Sequence, residues 1–227
     1  MSMPRCARVD VGEEIYHVIN RAVARLQIFS VPEDYQLFET LLEDTVDLTG
    51  MRVLGYTIMP NHWHLVLYPR VDGDLSLFMH RLTNMHTRKV HTKSDTTGFG
   101  PLYQGRYKSF LVESENYLFT LLKYVERNPV RACLVQSCEA WQWGSAWRRT
   151  HGTSKQRKLL DTRSFPLPDD YALWVNTFDT EDDLLNMRRA VNKGIPYGRD
   201  NWVKTMVKAY NLESTLHAPG RRKEKIL

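Results

Sequence analysis

Residues 51–68 read Met-Arg-Val-Leu-Gly-Tyr-Thr-Ile-Met-Pro-Asn-His-Trp-His-Leu-Val-Leu-Tyr. Residues 51–59 and 62–68 are rich in aliphatic, β-branched and aromatic side chains, Pro60-Asn61 supplies a tight turn, and Pro69 ends the run. That pattern predicts an antiparallel β-hairpin. Upstream, Pro32 opens a helix whose apolar positions Leu37, Phe38, Leu41, Leu42 and Val46 recur at helical spacing until Gly50 closes it. Before it, residues 15–20 (Ile-Tyr-His-Val-Ile-Asn) read as a strand. Downstream, residues 74–91 carry Leu75, Phe78, Leu82 and Met85 on one helical stripe, residues 94–101 form a loop, and residues 107–113 alternate as a strand. Ser114 caps a last helix, with Glu115 in its first turn, running through Tyr117, Leu118, Leu121, Leu122 and Val125. It stops at Asn128-Pro129, because a residue before proline is pushed out of helical geometry. The order strand, helix, strand, strand, helix, strand, helix describes an α+β fold, an antiparallel sheet with helices packed on one face.

Residues 1–150 contain this layer as one domain. After Trp141, Trp143 and Trp147, residues 150–164 are polar and basic and read as a linker. Short helices are expected around residues 169–176, 181–193 and 199–211, ahead of a basic tail at residues 220–225. Residues 151–227 are thus expected to be a small helical extension. No internal repeat or long low-complexity stretch interrupts the chain.

The 227 residues are 42% hydrophobic and 25% charged, which excludes wholesale disorder and fibrous structure. No apolar run approaches the roughly 18 residues of a membrane span, and residues 1–10 lack the apolar stretch of a signal peptide. Cys6, Cys133 and Cys138 are too few for a disulfide framework and read as reduced thiols, so a cytoplasmic location without a membrane partner is expected. Lys and Arg number 31 against 26 Asp and Glu, a formal net charge of +5. The excess is sorted along the chain. Residues 79–108 hold Arg81, Arg88, Lys89, Lys93, Arg106 and Lys108 against Asp95, and residues 146–163 hold Arg148, Arg149, Lys155, Arg157, Lys158 and Arg163 against Asp161. Acid gathers at Glu33, Asp34, Glu39, Glu43, Asp44 and Asp47. Such sorting suggests a side that faces a polyanion, since phosphate neutralisation dominates nucleic-acid affinity.

His62-Trp63-His64 is the sharpest local feature. Residues two apart on a strand share a face, so both imidazoles project together while Trp63 packs on the other side with Leu65 and Leu67. Such a pair is often only surface or core histidine. As a metal site it lacks the thiolates or third histidine that zinc favours, and it leaves room for an oxygen ligand and water, which suits Mg²⁺ or Mn²⁺. Tyr124 and Asn128, four apart on a helix, present a phenol and an amide to one place. Taken alone, they are equally a packed tyrosine and a helix stop.

Together the two features resemble a known family. Pro60-Asn61-His62-Trp63-His64-Leu65-Val66-Leu67, followed by Tyr124-Val125-Glu126-Arg127-Asn128-Pro129-Val130-Arg131-Ala132, is similar to the single-tyrosine HUH transposases, and to their REP-associated tyrosine transposase branch above all. Tyr16-His17-Val18, Asp34-Tyr35, the segment from Tyr103 to Lys108, and residues 141–145 look like that branch too. The resemblance covers residues 5–147.

The resemblance implies a ferredoxin-like HUH-type core and a catalytic role for residues 1–150. It implies that His62 and His64 bind a divalent metal ion (Mg²⁺ or Mn²⁺), that Asn128 completes the site, and that Tyr124 is the nucleophile. Tyr117 is a rival by residue type. It further implies cleavage and strand transfer of single-stranded or hairpin DNA, of REP-like repeats, through a 5′-phosphotyrosine link, by a monomer or homodimer. Arg81, Arg88 and Lys89 with Thr83 and Asn84, then Arg106, Lys108 and Arg131, are candidate phosphate contacts. Tyr103 and Trp63 are candidate base-stacking platforms, each with core packing as the alternative. The residue types suit the chemistry: a tyrosine hydroxyl titrating near pH 10 needs orientation and a polarised phosphate. Protonated imidazole cannot ligate, so activity is expected to fall below roughly pH 6.5. Two other readings keep DNA as partner: a relaxase or rolling-circle nickase, and a catalytically inert regulator of repeat elements. A zinc staple is a third, disfavoured by the absence of soft ligands.

Overall fold

The computed structural model describes residues 8–98, 100–114 and 116–216. Its elements follow the expected order: β1 (Ile15–Arg21), α1 (Pro32–Thr49), β2 (Arg52–Met59), β3 (His62–Tyr68), α2 (Asp74–Lys93), β4 (Lys108–Val112) and α3 (Asn116–Glu126). Then come α4 (Asn128–Arg131), α5 (Ser145–His151), α6 (Ser154–Arg157), α7 (Tyr171–Trp174), α8 (Glu181–Lys193) and α9 (Asp200–Ala209). The four strands pair antiparallel in the order β2-β3-β1-β4. This is the split β-α-β topology of ferredoxin-like sheets, with α3 added after the last strand. Among the described residues, no helix is long and apolar enough to cross a membrane.

Local signals explain the helix ends. Pro32 sits in the first turn of α1, and the Asp34 carboxylate accepts the backbone N–H groups of Ser30 and Val31 at 2.9 and 3.2 Å. Gly50, with φ at +69°, ends the helix in the left-handed region that favours glycine. At the start of α2, Asp74 accepts from Arg70 and Val71, and Asp10 accepts from Leu75 and Ser76. Both carboxylates lie at the positive end of the helix dipole.

The helices pack on both faces of the sheet, which corrects the expectation of one covered face. α1 and α2 bury Phe38, Leu41, Leu42, Leu75, Phe78 and Leu82 against Tyr16, Val18, Trp63, Leu65 and Leu67. On the other face α3 buries Leu118, Leu121, Leu122 and Val125 against Ile15, Val66, Phe110 and Val112. β2 has an irregular register between Val53 and Gly55. A Cβ at Gly55 would lie 2.5 Å from Leu122 Cδ2 and 3.2 Å from Ser145 Oγ, so the missing side chain lets α3 approach the sheet.

Residues 150–164 are not a bare linker. Leu159 and Leu160 are buried in the α1/α2 layer, Leu160 bridges to Val53, and the Asp161 N–H donates to the Val53 carbonyl at 2.8 Å. Two apolar residues inside a basic stretch bind this strap to the edge of β2. Of the cysteines, Cys138 is buried and Cys133 is exposed, and both are free thiols. Cys6, Glu115 and the basic tail at residues 220–225 lie outside the described residues.

Candidate active site

β3 divides its residues as the alternation demands. Trp63 goes under α1 and α2, where its indole N–H donates to the Tyr103 hydroxyl at 3.0 Å. His62 and His64 project to the α3 face, their ring centroids 5.1 Å apart. Each imidazole has one nitrogen already committed. His62 Nδ1 lies 2.6 Å from Asn61 Oδ1, and His64 Nδ1 lies 2.8 Å from His17 Nε2. The Nε2 atoms of His62 and His64 remain as the nitrogens available to a ligand, the arrangement in which a partner on the other nitrogen sets tautomer and ring orientation.

α3 brings Tyr124 to this pair. The Tyr124 and His64 ring centroids are 6.2 Å apart, with planes near perpendicular at 85°. Asn128, one turn later, donates its Nδ2 to the carbonyls of Tyr124 and Val125 at 3.0 and 3.2 Å. This makes it a helix stop and leaves its Oδ1 as the oxygen able to ligate. Of the two expected roles, the helix stop is the one these contacts display. Among the described residues no three His, Cys, Asp or Glu side chains assemble as a metal cage. The donor set here is two imidazole nitrogens and one amide oxygen, which fits a six-coordinate divalent ion that keeps waters better than it fits zinc.

Burial dominates the electrostatics. It pushes His62 down to about 4, with Arg21 adding to the effect, and His64 well below its ordinary value, with His17, His62, Arg131 and Arg21 adding to it. Both imidazoles are therefore neutral, with lone pairs available, at pH values where an exposed histidine is already charged. The expected acid limb near pH 6.5 moves lower. Burial raises the Tyr124 hydroxyl, and the cations Arg131, Arg188 and Arg21 oppose that rise.

The structure brings together His62, His64 and Tyr124, and Asn128 lies one turn after the tyrosine, bonded to its carbonyl. Tyr117 stands two turns back along α3 and packs edge-on against Tyr197 at 5.2 Å, away from the histidines. Arg81, Arg88 and Lys89 are exposed on α2, in the layer on the opposite face of the sheet. Arg106 and Lys108 are exposed at the β4 edge, and both line a cavity of about 310 Å³ with Asn20 and Arg21. Arg131 differs from its expected role as an open phosphate contact. Its guanidinium lies 4.3 Å from the Tyr124 ring centroid, donates to the Tyr124 carbonyl and pairs with Asp179 at 3.2 Å. Tyr103 and Trp63 are both buried, so they pack the core and are not exposed stacking platforms.

Four contributors escaped the sequence reading. His17, fully buried, backs His64. Arg21 pairs with His62 across the β1–β3 ladder, and its Nε is buried without a hydrogen-bond partner among the described residues. Arg188 of α8 reaches the Tyr124 field. Glu126, buried in α3, accepts from Ser145 at 2.5 Å and Tyr171 at 2.8 Å and pairs with Arg149, fixing the helix that carries Tyr124. His17 stands between apolar neighbours in residues 15–19, but its place behind His64 follows only from the β1–β3 register.

The sequence model of the family described as "Transposase IS200 like" matches residues 11–128, slightly more than half of the chain. No curated protein matches. A solved structure of a REP-associated tyrosine transposase bound to a REP hairpin is similar at a TM-score of 0.55 and 16% identity, covering 70% of this chain and 89% of that one. A 1.90 Å crystal structure of a candidate transposase from Deinococcus radiodurans R1 aligns at 21% identity and a TM-score of 0.38, covering 56% of this chain and 97% of that one. The first of these likenesses is one of fold. The family match spans β1 through Asn128, and so takes in both histidines and the tyrosine helix: the chain belongs to the IS200-like transposase family.

Proposed function

We propose that this transposase cleaves and rejoins single-stranded DNA with Tyr124 as nucleophile and His62, His64 and Asn128 as the holders of a divalent cation. The observation that carries the reading is the approach of the Tyr124 ring to within 6.2 Å of His64, beside His62, on a face that α3 otherwise fills with apolar side chains. When bound there, Mg²⁺ or Mn²⁺ supplies Lewis-acid polarisation of a non-bridging phosphate oxygen. His17 and Asn61 hold the two imidazoles by their Nδ1 atoms, so Nε2 of each would be the nitrogen offered to such a cation. Arg21, next to His62, adds a cation for the charge that develops on the phosphate. The Tyr124 oxygen loses its proton and attacks phosphorus in line, the tyrosine–phosphate bond forms as the phosphorus–O3′ bond breaks, and the departing oxygen takes up a proton to leave as a 3′-hydroxyl. Rejoining reverses the exchange without ATP, because the phosphotyrosine keeps the bond energy.

The substrate follows from the fold neighbour, whose structure holds a REP hairpin. We extend hairpin DNA of that class to this chain, with Arg106 and Lys108 at the β4 edge and Arg81, Arg88 and Lys89 on α2 as phosphate contacts. One chain supplies both histidines and the tyrosine. Lys123, Arg127 and Arg131 bind α3 to Thr177, Phe178 and Asp179 of that same chain. This supports action as a monomer with the tyrosine delivered in cis.

The test is incubation with Mn²⁺ and end-labelled single-stranded hairpin DNA, followed by denaturation. Wild type should retain label on the protein and Tyr124→Phe should not; equal adduct from both removes Tyr124 as nucleophile. The inert-regulator reading predicts no adduct from either.

A further inference from the structure

The second basic cluster of the sequence has no part in the reaction site. Two of its six cations are internal: Arg148 pairs with Glu39 and Glu43, and Arg149 pairs with Glu126. Three others line a cavity of about 760 Å³ at the outer edge of β2. There Arg157, Lys158 and Arg163 join Arg52 and Arg70, with Asp161 the single acid in the lining. The Asp161 carboxylate is occupied internally, accepting from the backbone of Arg163 and Ser164 and from the Ser164 hydroxyl at 2.6 Å. Asp161 offsets one of the five positive charges and Glu13, paired with Arg52, a second, which leaves a net positive lining.

The guanidinium groups are oriented from behind. Nε of Arg52 donates to the Tyr68 carbonyl at 2.9 Å, Nε of Arg70 to Gly50 at 3.1 Å, and Nε of Arg157 to Gly152 at 2.8 Å. Arg52 also pairs with Glu13, while Lys158 and Arg163 make no ion pair among the described residues. Buried Leu159 and Leu160 fix the strap that carries the last three cations. A set of cations oriented by backbone carbonyls, with donors left over, is built for oxyanions.

We propose that this cavity is a second phosphate-backbone site, one that grips duplex DNA flanking the reacting strand. It rests on the reading of the chain as a DNA strand transferase but not on the nucleophile. β3 sets the distance. His62 lies at one end and Tyr68, opposite Arg52, at the other. Six residues at about 3.3–3.4 Å each set a minimum of roughly 20 Å between the sites, since the cavity lies on the α1/α2 side of the β2 edge and the histidines on the α3 side. Duplex DNA rises about 3.4 Å per base pair. A substrate must therefore carry at least about six base pairs beyond the cleaved position to reach the cavity. A hairpin stem meets that requirement and a short single strand does not.

The experiment measures binding by fluorescence anisotropy without added metal, in the Tyr124→Phe background, so that neither cleavage nor metal loading enters. The triple variant Arg157→Ala/Lys158→Ala/Arg163→Ala should bind a hairpin with a ten-base-pair stem about tenfold or more weakly. Its dependence of log affinity on log salt should be shallower by about two to three, near 0.9 per lost phosphate contact. Affinity for a single strand too short to span the gap should not change. Thermal melting should match the parent, because all three side chains are exposed, and Arg157→Lys/Arg163→Lys should keep most of the affinity. Equal loss on long and short DNA, or no loss on either, overturns the proposal. Loss of binding to anionic vesicles with hairpin affinity intact would overturn it too, in favour of a membrane-facing patch. Absence of a covalent adduct in wild type would defeat the strand-transfer reading while leaving this binding result to stand or fall by itself.

Discussion

α1 and α3 are both amphipathic and both lie on the sheet, yet they are buried by different means. α1 presses Tyr35, Phe38, Leu41 and Leu42 onto one face and leaves Glu33, Asp44 and Asp47 exposed. α3 presses Leu118, Leu121, Leu122 and Val125 onto the other face, but its polar side is covered as well. Lys123 donates to Thr177 and the Phe178 carbonyl, Glu126 meets Ser145, Arg149 and Tyr171, and Arg127 following the helix pairs with Asp179. α1 is held by its apolar stripe and by Glu39 and Glu43, which pair with buried Arg148, while its outermost residues stay solvated. A helix enclosed on both sides is held at a fixed angle and depth, as a nucleophile that must attack in line requires.

The contrast can be broken most sharply by exchanging the damage. Tyr124→Phe should lower covalent adduct formation on the order of a thousandfold or more while the denaturation midpoint stays near wild type. Phe38→Ala in the α1 layer should cost about 3–5 kcal/mol of stability, read by denaturant unfolding, and leave the adduct rate per folded molecule unchanged. If Phe38→Ala abolishes the chemistry of molecules that remain folded, the division between scaffold layer and reactive layer is false.

Glu126 tests the enclosure of α3. Removing one partner of a buried ion pair commonly costs 3–5 kcal/mol, so Glu126→Ala should destabilise by about that amount. Asp34→Ala, which breaks the exposed pair with Lys93 and two cap bonds on α1, should cost about 1–2 kcal/mol. A smaller effect at Glu126 than at Asp34 would mean that α3 is not held by its polar side.

His17→Ala should leave the fold in place and weaken Mn²⁺ binding about 10–100-fold by calorimetry, the usual cost of losing an outer-shell partner. His17→Asn should recover part of that loss.

Two further expected effects are in pH. Burial lowers His62 to about 4, so Mn²⁺ binding should persist at pH 5.5, where a surface histidine pair would already be protonated. On the α1/α2 face, burial lowers His86 to about 3. The folded protein holds His86 neutral while the unfolded chain protonates near 6.5, so stability is full above that value and falls with acid. The slope is about 1.4 kcal/mol per pH unit between roughly 6.5 and 3, and His86→Phe should flatten it.

How much could be read in advance follows the same division. The apolar stripes of α1 and α2, the proline and glycine at the ends of α1, and the alternation of His62, Trp63 and His64 are local patterns, and each element lies where its pattern placed it. The histidine pair and tyrosine helix were legible as motifs. The covering of the second face was not, because the residues that enclose Lys123, Glu126 and Arg127 come from residues 145–179, far along the chain. The strap at residues 150–164 was misread for the same reason. Two buried leucines decide its place, and composition over fifteen residues hides them. His17 needed the β1–β3 register, which no local window contains.

The central claim is that Tyr124, and no other phenol, is delivered to the cation held by His62 and His64. Mass spectrometry of the protein–DNA adduct formed with Mn²⁺ and hairpin DNA, digested after denaturation, measures this directly. The account predicts a nucleotide remnant on the peptide containing Tyr124, absent when the metal is chelated and absent from His64→Ala. A remnant on Tyr117 or another residue, or on Tyr124 with no metal present, would contradict it.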